Sequence, residues 1–411
     1  MSVDQASAQV SGDRLPAPAS VVVGVGGLYV AQSVIGGVIF TGLPAVLRQN
    51  GASLNDIAFI LITVLPWSFK FLWAPAVERF RSPRRGARRS RLVIGVVGSF
   101  AVAAVVACAL IGPTALGPLT VAIMIASFAS ATVDIACDGH AVESLAEKNR
   151  GWGNAAQVGG AYLGSAIGAG VFLVLIDHVG WTQATLVMSG VLVALALPFM
   201  ATRDSGWSAR PDRPRQSLKA ALKRPEVRSG LVIVALYVLG QKWSMVLLTP
   251  FVVDSGVGLS TVGLLNGIGV TAMGLAGALG GGYLVRRFGS FPVMTVSLAA
   301  QSVVILGFAI YAYLGVRQPV MLGALALASA GTLALGFVAL YSELMGRASL
   351  DQAGVDFTLF QSMDAIVSLI GWQLVGTFGD ALGFAWCFAI AAAIGFATVI
   401  ALSRLPRPSV G

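Results

Sequence analysis

The sequence predicts an all-α integral membrane protein with twelve transmembrane helices. The 411-residue chain is 56% hydrophobic and only 11% charged, whereas roughly a quarter of the residues of a soluble protein are charged. Its apolar runs are about 20 residues long, which is the length that crosses a bilayer as a helix. Its 50 glycines suit helices that pack closely in lipid, where no hydrophobic force drives association.

The apolar runs form two groups of six, numbered spans 1 to 12 in chain order. The predicted spans are residues 20–42, 56–76, 92–112, 118–142, 154–176, 182–202, 229–252, 259–284, 291–314, 319–345, 355–378 and 383–403. They imply a cytoplasmic tail at 1–19, a six-helix bundle at 20–203, a basic cytoplasmic linker at 204–228, a second six-helix bundle at 229–404 and a cytoplasmic tail at 405–411.

The basic residues predict the orientation of the spans, because Lys and Arg are retained in cytoplasmic loops. If both termini are cytoplasmic, 23 of the 27 Lys and Arg fall in cytoplasmic loops or tails. Seven of them are arginines of the single loop ERFRSPRRGARRSR at 78–91. The net charge of +9 is therefore a topology signal, and we expect the lipid bilayer rather than nucleic acid as its partner.

The two halves of the chain repeat each other in sequence. The tripeptide LYV occurs at 28–30 and at 236–238, and VERF at 77–80 is matched by VRRF at 285–288, in both cases 208 residues later. Chance similarity between apolar segments is the alternative explanation. A parallel repeat of two six-helix halves is typical of major facilitator transporters, in which rocking of the halves alternates access to a site near the midplane.

Three charged residues near the ends of spans are expected to have structural or gating roles. Arg287 belongs to GGYLVRRFG at 281–289, a reduced form of the loop motif G-x-x-x-D-R-x-G-R-R of these transporters that lacks its acidic residue. Glu143 and His140 come near the cytoplasmic end of span 4, where water is available, so structural roles are expected for both. Glu343 comes near the end of span 10.

Span 4 carries two aspartates, Asp134 and Asp138, one helical turn apart, and span 2 carries Lys70. Counted from the outer ends of their spans, Lys70 and Asp134 lie about 21 Å and about 24 Å deep. Charges at such depths are paired or line a cavity. Two interpretations are open: an aspartate that takes up a proton during transport, with Lys70 setting its pKa, or a fixed salt bridge between helices.

Lys242 lies near the middle of span 7, in the sequence GQKWSM. A cation beside an aromatic ring suits an anionic or aromatic substrate, whereas a salt bridge with Glu343 or Asp364 is the alternative. The other polar residues predicted to bind substrate are Gln32, Gln157, Tyr162, Gln241, Trp243 and Gln361. Hydrogen bonding between helices could explain each of them equally well.

Three stretches resemble the AmpG-type branch of the major facilitator superfamily. They are FKFLWAPAVERF at 69–80, TVDIACDGHAVE at 132–143 and RGWGNAAQVGGAYLGSAIG at 150–168. Members of this branch include muropeptide permeases, acetyl-CoA transporters and RhtX/FptX-type siderophore permeases. Lys70, Asp134, Asp138 and Gln157 match the pattern of the branch.

In its compact length of 411 residues, the chain is most similar to the siderophore permeases. The resemblance thus implies a monomeric transporter of the bacterial inner membrane, which imports a pyochelin- or rhizobactin-like siderophore or its iron complex, with protons. Import of muropeptides for cell-wall recycling, or of another organic anion, is the alternative.

The sequence argues against enzymes and ATP-driven pumps. Asp134 and Asp138 share one helix instead of facing each other from two, as aspartyl intramembrane proteases require. His140 and His178 are the only histidines and form no H-E-x-x-H motif, and there is no G-x-x-x-x-G-K-[ST] for ATP. The three cysteines lie in apolar runs, so no cofactor or metal site is expected.

Overall fold

The computed structural model describes residues 17–53, 56, 59–83, 87–202, 215–256, 265–316 and 318–404. Of the predicted tails only 17–19 are described, and of the predicted linker only 215–228. Regular structure in these residues consists of helices, without strands. The predicted all-α fold class is thereby confirmed.

Ten helices in the described part of the chain are long and apolar enough to cross a membrane. They are Pro18–Gln49, Ser90–Ile111, Leu116–Ser144, Glu147–Ala201, Pro225–Val252, Gly267–Phe288, Ser290–Tyr313, Pro319–Arg347, Ala353–Gly371 and Ala381–Ser403. Their count differs from twelve because spans 5 and 6 are joined in one helix and span 2 is broken into short segments.

Single glycines replace two of the predicted loops between spans. Spans 5 and 6 run through Glu147–Ala201, in which Gly180 alone is non-helical with φ 78°. Spans 11 and 12 likewise follow each other in Ala353–Ser403, where Gly383 has φ 71°. Because glycine has no Cβ, it adopts this left-handed conformation at little cost and turns the chain within one residue.

Span 2 is not the continuous helix predicted at 56–76. It consists of 3₁₀ and α segments, namely Leu61–Val64, Leu65–Phe69, Lys70–Leu72 and Ala74–Arg81. Pro66 and Pro75 lie in the first turns of the two α segments, where proline is favourable although it cannot continue a preceding helix. The break places Lys70 at a joint between two segments.

The chain divides into two compact units. The first contains Met1–Asn149, Gly164–Lys223 and Ala348–Thr358, and the second contains Arg150–Leu163, Arg224–Arg347 and Leu359–Gly411. The beginning of span 5 is therefore grouped with the second unit and the beginning of span 11 with the first. The predicted bundle limits of 20–203 and 229–404 stay a prediction.

Each unit has its own apolar core. In the first unit, Leu43 and Phe172 are fully buried within a cluster to which spans 1 to 6 all contribute. In the second unit, Phe251 packs against Phe308 and Phe388 with ring centroids 6.4 and 5.3 Å apart. These contacts are edge-to-face, an arrangement that aromatic pairs favour.

Spans 1 and 5 approach each other at glycines of span 5. A methyl group at Gly168 would collide with the backbone carbonyl of Val34, and one at Gly164 would lie 2.9 Å from the Val34 nitrogen. Small residues allow backbones to come this close, which increases van der Waals contact between helices in a membrane.

We predict that Gly168→Ala lowers the thermal stability of the purified protein, because the added methyl group must push spans 1 and 5 apart. Overpacking of this kind costs about 1–3 kcal/mol. Gly170→Ala is the matched control, since no atom lies within 4 Å of a Cβ at that position. Equal melting temperatures for the two variants would contradict the close approach.

Candidate functional site

Lys70 and Asp134 form a salt bridge between spans 2 and 4 in the first unit. Both residues are buried, with 3% and 4% of their surfaces exposed. The ammonium of Lys70 also lies 5.8 Å from the centre of the Trp67 ring. The break in span 2 brings Lys70 to span 4, and the ion pair lets both charges occupy an apolar interior.

Asp138 has a different partner from Asp134, although the two aspartates are one turn apart. The Tyr29 hydroxyl of span 1 donates a hydrogen bond of 2.7 Å to Oδ1 of Asp138, which is fully buried. The aspartates therefore connect span 4 to two different neighbours.

A charge cluster lies where spans 2 and 4 end, and most of its side chains are fully buried. Arg81 contacts Glu78 at 2.7 Å and Glu143 at 2.8 Å, and Arg88 contacts the same Glu143 at 2.7 Å. Burial opposes the charge of Arg81, but the two carboxylates overcome this effect and raise its pKa above the ordinary value. The positive charges of the two arginines are thus neutralised by the negative charges of the two glutamates.

Gly139 allows the Arg81 guanidinium to lie directly against span 4. A methyl group at this position would come within 2.7 Å of Nη2 of Arg81. The following residue, His140, is buried and its ring packs edge-on against Phe199 at 5.1 Å. A structural role for His140 stays a prediction.

The same cluster reaches the beginning of span 11, which belongs to the first unit. A methyl group at Gly354 would lie 2.5 Å from Oε2 of Glu78. Asp356 accepts hydrogen bonds from the Ser349 backbone at 2.9 Å and from Nε2 of Gln352 at 2.7 Å. Two carboxylates therefore lie at the N-terminus of this helix, where its dipole favours negative charge.

Lys242 of the second unit forms a salt bridge with Asp364, one of the two partners considered from the sequence. Its ammonium lies 3.3 Å from Oδ1 of Asp364 and 5.0 Å from the centre of the Phe337 ring. The Tyr341 hydroxyl donates a hydrogen bond of 2.9 Å to Oδ2 of Asp364. The carboxylate would thus keep a hydrogen-bond donor if Lys242 moved away.

The two lysine–aspartate pairs differ in accessibility. The side chains of Lys242 and Asp364 are 19% and 11% exposed, whereas those of Lys70 and Asp134 are only 4% and 5% exposed. A solute can therefore contact the Lys242–Asp364 pair more easily than the Lys70–Asp134 pair.

The remaining residues predicted to bind substrate lie in varied surroundings. Trp243 is part of the apolar core of the second unit, and the Tyr162 ring packs closely against Gly274. Gln241 is buried, whereas Gln157 and Gln361 are partly buried. Gln32 lies in the first unit. A role of these six residues in substrate binding stays a prediction.

The other two residues predicted to be structural or gating lie at the ends of spans 8 and 10. Glu343 accepts hydrogen bonds from Arg347 at 2.8 Å and from the Ser290 hydroxyl at 2.7 Å. Arg287 is exposed and donates a hydrogen bond of 3.2 Å to the Tyr283 hydroxyl. Glu343 thus ties span 10 to span 9, while Arg287 contacts its own helix.

Sequence reasoning missed Tyr29, Glu78, Arg81 and Tyr341, which complete these charge networks. The i, i+3 spacing of Glu78 and Arg81 in VERFR was a usable signal. Arg81 was instead counted among the loop arginines that set topology. The two tyrosines carried no comparable signal, because a tyrosine is ordinary in an apolar span.

Comparison with known proteins gives matches that cover most of the chain. The model of the Major Facilitator Superfamily matches residues 25–371. The anhydromuropeptide permease of Escherichia coli strain K12 is 26% identical over 364 residues, which cover 86% of this chain and 73% of the permease.

Solved structures of similar fold include two transporters. A bacterial homologue of the iron transporter ferroportin, in an outward-facing state, has a TM-score of 0.71 at 17% identity and covers 94% of this chain and 98% of its own. The Escherichia coli fucose:proton symporter has a TM-score of 0.70 at 16% identity, with the same coverage of both chains. At these identities the similarity concerns the fold alone.

We predict that Glu143→Gln destabilises the protein, because it leaves Arg81 and Arg88 with Glu78 as the one carboxylate of the cluster. Removing one partner of a buried ion pair costs about 3–5 kcal/mol. The melting temperature of the purified variant measures this effect. Glu147→Gln, at an exposed glutamate one turn further on, should leave the melting temperature unchanged. A similar loss in both variants would argue against a specific role for the cluster.

Lys70→Met and Asp134→Asn should each lower stability by a comparable amount, about 3–5 kcal/mol, because each leaves one buried charge without its partner. The double variant removes both charges and should recover most of the lost stability. A double-mutant cycle of melting temperatures measures this coupling. Additive losses would mean that the two side chains do not stabilise each other.

Proposed function

Because the chain belongs to the Major Facilitator Superfamily, we propose that it is a secondary transporter which imports a muropeptide-like solute together with protons. That the chain is a multi-pass membrane transporter follows from its family and its fold. The solute, the direction of transport and the coupling ion are the proposed part, as is a location in the bacterial inner membrane.

The accessible Lys242–Asp364 pair is the observation that supports an anionic solute. Its separation of 3.3 Å is longer than the distance of about 2.7–2.9 Å typical of a strong charge-assisted hydrogen bond. A carboxylate of the solute could therefore compete with Asp364 for Lys242, while Tyr341 continues to bind Asp364. Phe337, already beside Lys242, supplies an apolar wall. A muropeptide has peptide carboxylates suited to such a site.

The relatives also favour a muropeptide over the siderophore expected from the sequence. The Escherichia coli relative is named an anhydromuropeptide permease and aligns with most of this chain. The siderophore expectation rested on chain length, which carries no information about the chemistry of a binding site. We therefore choose the muropeptide and retain a ferric siderophore as the competing substrate in the experiment.

Uptake into proteoliposomes tests this proposal. Radiolabelled anhydromuropeptide should accumulate when the outside is made more acidic than the inside, and accumulation should stop when an uncoupler collapses the gradient. A ferric siderophore, offered to the same vesicles, should not accumulate. Uptake of the siderophore without uptake of the muropeptide would reverse the choice of solute. Equal uptake with and without the uncoupler would contradict proton coupling.

Replacing Lys242 should weaken solute binding. We expect Lys242→Gln to raise KM for the muropeptide about tenfold or more, since a hydrogen bond to a charged group contributes about 1.5–3 kcal/mol. Lys242→Arg keeps the positive charge and is the matched control, with a smaller rise in KM. An unchanged KM in Lys242→Gln would remove this lysine from the binding site.

In this proposal, the buried Lys70–Asp134 pair couples solute transport to proton movement. The double variant Lys70→Met/Asp134→Asn, which should be folded, is expected to exchange labelled for unlabelled muropeptide across the vesicle membrane without a gradient. It should fail to accumulate muropeptide against a concentration difference when the outside is acidic. Full proton-driven accumulation in this variant would leave the pair with a structural role alone.

A further inference from the structure

The first unit contains a crevice of about 410 Å³ between spans 1, 3, 4 and 6. Its volume lies in the range of small-molecule binding sites, about 300–1,000 Å³. The walls include Gly98 of span 3 and Leu192 and Leu197 of span 6, and the floor includes Gln32 of span 1 and Ser130 of span 4. None of these residues belongs to the charge networks described above.

The crevice opens towards an exposed surface of spans 3 and 6. Val193 and Leu197 on its rim are 46% and 60% exposed, and Ser99 and Ala103 on the opposite side are also exposed. We expect this exposed apolar surface of two membrane-spanning helices to face the hydrocarbon core of the bilayer. A molecule dissolved in the bilayer can therefore enter the crevice without crossing water.

Two polar side chains at the floor are buried without a hydrogen-bond partner among the described residues. They are Nε2 of Gln32 and Oγ of Ser130, in residues that are 6% and 2% exposed. Two threonines of span 4 instead bond back to its carbonyls, Thr120 to Leu116 at 2.7 Å and Thr132 to Phe128 at 2.8 Å. A buried polar group left without a partner costs about 1–3 kcal/mol, so these two groups favour a ligand that carries an oxygen.

We propose that this crevice binds an uncharged amphiphile from the bilayer, with an apolar chain along spans 3 and 6 and a hydroxyl oxygen at Gln32 and Ser130. The Gln32 amide donates to that oxygen, and the Ser130 hydroxyl can donate to it or accept from it. The described lining contains no charged side chain, which disfavours an ionic head group. Water alone fits poorly, because a buried water requires two to four polar partners and the walls are otherwise almost entirely apolar.

Photolabelling of the purified protein in lipid nanodiscs tests the site directly and does not depend on transport. One probe is a long-chain primary alcohol with a diazirine in the chain, and the matched probe is the alkane of the same length with the same diazirine. The alcohol should label peptides of spans 3 and 6 about tenfold more than the alkane does, by the contribution of its hydrogen bonds. Excess unlabelled alcohol should compete for this labelling.

Three variants identify the crevice as the labelled site. Gly98→Leu fills it, since a Cβ at Gly98 has only the Val133 methyl group at 4.0 Å nearby, and should abolish the preference for the alcohol. Gly190→Leu adds the same side chain to span 6 where no atom lies within 4 Å, and should label as the wild type does. Gln32→Leu keeps the volume and should reduce alcohol labelling to the level of the alkane.

Equal labelling by alcohol and alkane in the wild-type protein would overturn the proposal, because the crevice would then hold lipid chains without recognising an oxygen. Undiminished alcohol labelling in Gly98→Leu or in Gln32→Leu would overturn it as well, since the bound alcohol would lie elsewhere. Unfolding of Gly98→Leu would leave Gln32→Leu as the deciding variant.

Discussion

A charge at the centre of a bilayer costs about 2.5–3.5 kcal/mol on insertion scales, and the charged side chains buried in this chain are arranged around that cost. Lys70 is neutralised by Asp134, Arg81 by two glutamates, and Lys242 by Asp364. None of these interactions crosses between units: the first two lie within the first unit and the third lies within the second. Neutralising these charges therefore requires spans 2 and 4 to be neighbours in the first unit and spans 7 and 11 to be neighbours in the second.

The irregular backbone of span 2 serves the same constraint. A straight helix through 56–76 would continue the regular i to i−4 ladder through Lys70, whereas the prolines divide it into short segments with a joint at this residue. The last segment, Ala74–Arg81, carries Glu78 and Arg81 into the cluster with Glu143. Glu78 then reaches the N-terminus of span 11, where the helix dipole stabilises its charge. The broken span 2 thus supplies a buried lysine, and its last segment contacts both span 4 and the N-terminus of span 11.

In the function proposed above, the two lysine–aspartate pairs have different tasks. The pair in the first unit is sealed, so a change in its charge has to pass through buried groups. The pair in the second unit is more accessible and keeps Tyr341 as a second partner for its carboxylate. In the function proposed above, solute binds where a charge can be exchanged, and protons act where the charge is enclosed. The described lining of the crevice includes no member of either pair and carries no charge.

The sequence alone determined the all-helical membrane fold and nearly all the spans, because the length and hydropathy of an apolar run are local properties. It also identified Lys70, Asp134 and Lys242, since a charge is conspicuous in an apolar run. Proline and glycine mark the break in span 2 and the turn at Gly180, although their effect appeared only in the structure. The tertiary structure decided the partners: Tyr29 meets Asp138 across 109 residues of sequence. A helix that is apolar on all sides has no periodic stripe to say which face meets which neighbour, so these pairings depend on packing that no single span encodes.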